Sequence, residues 1–270
     1  VHSIFDFAET CLHCGDRDKL LTLTHEAWRL AANDELIFTS TNSVRPIEQV
    51  VFPARPFLLP PREMPKRKFH TREGLAAFFH AIAHVEFVAI YLAWDIIYRF
   101  RDLPEDFYRD WLKVADEEAQ HFSLLRAKLQ TFEIDYGDLP AHSGLWDLAQ
   151  YTAPDLLKRL ALVPRNMEAH GLDVTPPLIE KFKQLGGDDN AVAILTRILT
   201  DEVGHVALGS KWFKWLCTER NLDIESQYQR LLLNYYAEKG GSLKGAINYE
   251  MRLAAGFSAS ELAWLTAQSH

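Results

Sequence analysis

Apolar residues recur every three or four positions along most of the chain, the period of an amphipathic helix, and no stretch alternates as a half-buried strand would. Phe107, Trp111, Val114, Glu118, His121 and Leu125 step by four, three, four, three and four. Two polar residues therefore occupy positions that the pattern assigns to a core. Leu195, Ile198, Glu202, His205, Leu208, Trp212 and Leu216 repeat the arrangement further on. Phe79, Ile82, Glu86, Ala89 and Ala93 make a third stripe, and Leu157, Ala161 and Glu168 a fourth, each with one glutamate on its apolar side. An ionised carboxylate inside a core is costly unless something pairs with it. The spacing predicts four long helices with a polar site among them.

Turn and cap residues set the expected boundaries. Thr71, with Glu73 in the first turn, starts the first long helix, and Asp102-Leu103-Pro104 ends it. A second runs from about Pro104 to Phe132, and Gly137 to Gly144 is a connection. A third spans roughly Leu145 to Gly171, interrupted or bent at Pro154 and Pro164. Gly171 to Pro177 breaks it, and a short segment continues to Leu185. Gly186-Gly187-Asp188-Asp189 then supplies a C-cap and an N-cap, and the fourth helix covers Asn190 to Thr218. Residues 1–33 read as helical with a break at Gly15-Asp16. The six prolines between Val44 and His70 exclude a continuous helix there and predict an extended, wrapping segment. Three shorter helices are expected at Ser226–Glu238, Leu243–Ala254 and Ser258–Ala267. The fold class is all-α: an N-terminal region over 1–70, a four-helix bundle over 71–218, and C-terminal helices over 219–270.

The polar intruders have a chemistry. Glu118 and His121, and Glu202 and His205, are three apart, so on a helix each pair aims a carboxylate and an imidazole at one point. Glu117 is about 100° away around the same helix and faces solvent. A carboxylate-bridged two-metal site in a four-helix bundle needs a Glu-x-x-His from two helices and one Glu from each of the other two. Glu86 precedes Glu118 by 32 positions and Glu168 precedes Glu202 by 34. Two antiparallel arms of about 15 residues, at about 1.5 Å per residue, return both glutamates of such a pair to one level. The expected ligands are Glu86, Glu118, His121, Glu168, Glu202 and His205.

With 270 residues and 48% hydrophobic content the chain can bury a large core. A net charge of −8 and a pI near 5.8 argue against nucleic acid or an anionic membrane as its main partner. No signal peptide is read in the first residues and no run of eighteen apolar residues occurs, so a cytoplasmic protein is expected. Three cysteines agree with a reducing compartment. Cys11 and Cys14 form a lone Cys-x-x-Cys without a second half, which favours structural thiols over a zinc or redox site. His80 and His84 read as packing residues or supports for the ligands, and His142 and His170 stay open. The basic run containing Arg62, Lys66, Arg67, Lys68 and Arg72 is a solvated loop or a docking strip for an acidic partner.

The set Glu86, Glu118-x-x-His121, Glu168 and Glu202-x-x-His205 resembles the di-iron ligand pattern of the ferritin-like superfamily. The stretches His80–Phe87, Tyr136–His142, Leu162–Arg165, Gly171–Thr175, Asp201–His205 and Arg252–Phe257 are similar to the ferritin-like family catalogued as domain of unknown function 455 (DUF455). The resemblance implies a four-helix core holding two metals. The superfamily includes a tRNA-modifying hydroxylase, an analogy only.

Four carboxylates and two imidazoles suit two iron ions, or manganese alone or mixed with iron. The function expected first is an O₂- or peroxide-dependent oxidoreductase acting on a small molecule, with Phe79, Phe87 and Phe122 excluding water and an external electron donor, since no nucleotide-binding fingerprint is present. Glu118 and Glu202 would bridge, and Glu86, Glu168, His121 and His205 would be terminal. Arg159 and Arg165, near the Pro164 bend, and the basic run could line an entrance for an anionic substrate, or be ordinary surface arginines. A tRNA substrate is disfavoured by the net charge, and a homodimer is compatible with the pattern. The alternatives are iron handling or peroxide detoxification, against which the segments flanking the bundle count, and a non-catalytic, metal-stabilised interaction module.

Overall fold

The computed structural model describes residues 2–39, 44, 50–65, 69, 71–184, 188–241 and 245–269. The fold is all-α, and the chain divides into two compact units, Val1–Asp147 and Leu148–His270. This division falls inside the expected bundle. Each unit contains one antiparallel pair of long helices.

In the first unit Ser3 caps α1 (Ile4–Leu12) and Asp16 caps α2 (Arg17–Ala32), each side chain accepting from a first-turn backbone N–H. The break expected at Gly15-Asp16 lies between them. The only strands among the described residues are two short ones that the sequence did not signal, β1 (His2–Ser3) and β2 (Leu36–Ile37), paired in parallel. Thr71 caps α3 (Arg72–Arg99) through the Gly74 N–H, and α4 (Glu105–Gln130) follows Pro104. Arg72 donates to the Thr131 carbonyl and to Glu133, while Tyr108 donates to the Phe100 carbonyl, so α3 and α4 are antiparallel and tied at both ends.

Helix α3 is long and apolar enough by composition to cross a membrane, but most of it is buried, and its inward residues include His80, His84, Glu86 and Asp95. It is the axis of the unit: α4 and α1 pack on it, Trp94 donates to Thr24 of α2, and Tyr91 donates to the Cys14 carbonyl. Tyr91 also reaches the Val51 carbonyl, and Leu59 and Ala141 exchange backbone bonds with the opposing segment, so residues 50–65 run extended against the unit. One 3-10 turn at Pro61–Glu63 interrupts that run. Cys11 and Cys14 are buried free thiols. Burial, with Cys14 beside it, pushes the Cys11 thiol far above its ordinary range. That suits packing and opposes thiolate chemistry.

His80 and His84 turn out to anchor the loop after α4. The Gly137 N–H donates to His80 Nε2 at 3.0 Å. His84 stands 2.9 Å from the Tyr136 hydroxyl at Nδ1 and 3.0 Å from the His142 carbonyl at Nε2. A carbonyl can only accept, so Nε2 carries the proton and Nδ1 accepts from Tyr136.

In the second unit the third helix is interrupted at Pro154, one of the two outcomes expected there, and its far end is corrected. Helix α5 (Gly144–Thr152), which begins just before the unit boundary, stops ahead of Pro154. Asp155 caps a new helix, α6 (Leu156–Leu162). This continues through a π-helical turn, Val163–Glu168, into α7 (Ala169–Gln184). Gly171 to Pro177 does not break the chain: Pro176 and Pro177 lie inside α7. Burial of Leu172, Ile179 and Phe182 on one face carries the helix past two missing N–H donors. The expected glycine cap at Gly186-Gly187 lies outside the described residues.

Asp188 caps α8 (Asp189–Glu219), and Arg220 pairs with Asp155, tying the end of α8 to the start of α6. Helices α9 (Ile224–Lys239), α10 (Tyr249–Ala254) and α11 (Ala259–Gln268) complete the unit. Helix α10 is shorter than the expected Leu243–Ala254 because Asn248 caps it. Pro164 lies against Gly209, where an added Cβ would come within 2.4 Å of the Pro164 Cβ. Only glycine fits that approach.

Two stability predictions follow from these contacts. Gly209→Ala is expected to destabilise the protein by about 1–3 kcal/mol, since overpacking outweighs the helix-propensity gain. Urea titration measures this, and a variant as stable as the parent would contradict the close contact. Burial pushes His84 down from 6.5 to about 4. The unfolded chain therefore takes up this proton first as the pH falls, and the associated stability is present above pH 6.5 and lost by about pH 4. Parallel titrations at pH 7 and pH 4 should show His84→Gln losing up to about 3 kcal/mol less than the parent over that window. Equal losses would refute the assignment.

Candidate metal centre

The stripe read along α4 is buried at every position, from Phe107 and Trp111 through Glu118 and His121 to Leu125. An apolar helix face has thus been built straight through a carboxylate and an imidazole. Glu86 projects from α3 at the same level: His121 Nδ1 lies 3.1 Å from Glu86 Oε2 and 3.4 Å from Glu118 Oε2. Glu86, Glu118 and His121 each offer a ligand atom, all within 4.8 Å of one another, and all three are buried. Separations near 3 Å are those of adjacent ligands around an ion about 2.1 Å from each. This buried group could hold a metal ion. Glu117 is turned aside, bonded to Lys113 and less buried, as its position on the helix requires.

The electrostatics fit a cation. Burial first, and the neighbouring Glu118 charge second, push Glu86 well above the ordinary carboxylate range. Burial alone would lower the His121 imidazole, but Glu118 and Glu86 outweigh it and raise it to about 11. The cluster left to itself therefore keeps protons among its oxygens and nitrogen. A divalent ion supplies the same compensating charge with better geometry.

The second unit repeats half of this arrangement. His205 is buried on α8 with Nδ1 3.2 Å from Glu202 Oε1, so both Glu-x-x-His motifs turn Nδ1 towards their own carboxylate. Glu168, half-buried, is the last residue of the π-helical turn. Pro164 was the one sequence signal for that turn, and it pointed to an interruption or bend without specifying a π-turn. Single π-turns are rare and concentrate at functional sites.

Other expectations are placed differently. Phe87 and Phe122 pack 4.9 Å apart and both lie against Tyr136, a residue the sequence reading did not include in this shield. Phe79 instead contacts Phe78 and Phe132. Arg159 and Arg165 line no entrance, because both are fully buried. Arg159 donates to Thr152 and the Ala149 carbonyl, and Arg165 pairs with Glu261. Helical spacing alone could not reveal this, since their partners are remote in sequence or on other helices. In the basic run, Arg62 lies beside Glu63 and Arg72 pairs with Glu133, while Lys66, Arg67 and Lys68 lie outside the described residues. His142 gives its carbonyl to His84 and its ring to the Gly144 N–H, and His170 is an exposed neighbour of Asp173.

An uncharacterized protein of Haemophilus influenzae is 48% identical to this chain over 221 residues, covering 79% of the chain and 75% of that protein. No solved structure matches. The family described as "Protein of unknown function (DUF455)" matches residues 14–263, nearly the whole chain. The chain, with its two Glu-x-x-His helices, belongs to the DUF455 family.

Proposed function

We propose that this protein is a di-metal carboxylate oxidoreductase, with iron as the metal. In this reading α3, α4, the helix through Glu168 and α8 compose a ferritin-like four-helix bundle. Glu86, Glu118, His121, Glu168, Glu202 and His205 are the residues that would hold two ions. The observation that carries it is the matched geometry of the two motifs: His121 and His205 each direct Nδ1 at the glutamate three residues earlier, at 3.4 and 3.2 Å. Four carboxylates balance the charge of two divalent ions, a donor set suited to iron or manganese.

Bound iron supplies activation of O₂ or peroxide and, with an external electron donor, oxidation of a substrate. The chain's own residues do the rest. Phe87 and Phe122, next in sequence to Glu86 and His121, pack on each other and on Tyr136 and would keep water from the ions. Glu118 and Glu86 raise the His121 imidazole, so a proton held there would have to leave for a cation to be bound, and metal uptake would be coupled to proton loss.

Three outcomes are expected. Anaerobic loading with ferrous ion should leave two ions per chain by elemental analysis, and fewer than one would remove the reading. Glu118→Ala should lower the metal content much more than Glu117→Ala, because only Glu118 shares the buried face with His121. Equal effects would mean that another set of ligands holds the metal. Apparent affinity should rise by about tenfold per pH unit for each proton released between pH 6 and 8. Admission of O₂ to the loaded protein, followed by an oxygen electrode, separates a redox centre from a metal that only stabilises the fold.

A further inference from the structure

The π-helical turn at Val163–Glu168 is held by side chains from three other helices of its unit. Pro164 has no N–H to give the preceding turn, and its ring sits in the space that Gly209 of α8 leaves open. The next residue, Arg165, is wholly buried. Its Nη2 donates to Glu261 Oε1 of α11 at 2.7 Å and its Nε to Ser210 Oγ of α8 at 3.2 Å. Three aromatic rings surround the guanidinium, with Phe213, Tyr228 and Phe257 at 4.8, 4.3 and 4.5 Å from Cζ to the ring centroids.

Tyr228 of α9 also donates its hydroxyl to the Arg165 carbonyl at 2.8 Å, and Tyr236, a further two turns along, donates to Asn166 Oδ1. Backbone carbonyls of a π-turn leave the regular ladder, and here a side-chain hydroxyl supplies a bond to one of them. In an α-helix Arg165 and Glu168, three apart, would be neighbours on one face. The wider turn separates their directions. Arg165 goes to the core with Glu261, and Glu168 is left on another side of the helix.

A buried ion pair is weak evidence for stability, because an apolar pair of similar volume does as well or better. What such a pair does fix is geometry. We infer that Arg165, clamped by Glu261 and Tyr228, is a positioning residue: it holds the π-helical turn in register so that the glutamate at its end, Glu168, is presented as a metal ligand. This deepens the di-metal reading and rests on it. It gives α9 and α11 a part in the site although neither carries a ligand.

The test uses cobalt(II) titration of the full chain, followed by its visible absorption bands and by elemental analysis, with thermal unfolding in parallel. Two variants serve. Tyr228→Phe removes one hydroxyl. The double change Arg165→Met with Glu261→Gln removes both charges while keeping an amide that can close the capping box with Ser258. Both should stay folded, with one ion retained and the second bound at least tenfold more weakly, as in Glu168→Ala. Altered cobalt bands for the weakened ion alone would mark a displaced ligand. Two ions bound with parental affinity and bands in both variants would overturn the inference and leave the di-metal reading standing. A parent chain that takes up no metal would overturn both. Weakening of both ions in proportion to lost thermal stability would show that the clamp serves the fold only.

Discussion

Two carboxylates and an imidazole inside an apolar core constrain the first unit more than any other contact. Glu86, Glu118 and His121 cannot be buried as independent charges, since each would cost several kcal/mol to take from water. They must be brought together, and that fixes the relative height of α3 and α4. The ties at the two ends of the pair, Arg72 with Glu133 and Tyr108 with the Phe100 carbonyl, hold the same register from outside. A one-turn slip would leave those ends unpaired and strand a carboxylate in the aromatic packing of Phe87 and Phe122.

The stripes that announced the helices also announced the buried Glu86, Glu118 and His121, because burial on a helix face is a local property with a short period. Where Glu118 and Glu117 differ, the 100° step between neighbours was enough to choose the inward one. Other features were illegible for a shared reason. Arg165 and Arg159 look like surface residues by type, and only partners on other helices or many residues away make them core. The π-turn changes hydrogen-bond register without changing composition. Pro176 and Pro177 look like breakers, yet tertiary burial of Leu172, Ile179 and Phe182 overrides them. His80 and His84, four apart, suggested packing or support, and the loop that they hold explains the spacing: they bond Gly137 and Tyr136, consecutive residues of that loop.

The two Cys-x-x-Cys thiols illustrate the opposite limit, a motif whose chemistry depends on its surroundings. Such a pair is activated at a helix N-terminus by the positive end of the dipole. Cys11 lies in the last turn of α1 and Cys14 just beyond it, at the wrong end for a thiolate, and both are shielded from solvent.

The pairing of Arg165 with Glu261 spans 96 residues of chain. At ribosomal rates of about 5–20 residues per second, Arg165 leaves the ribosome roughly 5–20 s before its counter-charge does. During that interval the guanidinium has no carboxylate to accompany it into the core, and the aromatic residues that enclose it, Phe213, Tyr228 and Phe257, are themselves arriving in sequence. The helix through Val163–Glu168 therefore completes its burial late, after α11 has been made. Until then the segment that ends in Glu168 lacks the carboxylate that accompanies its arginine into the core.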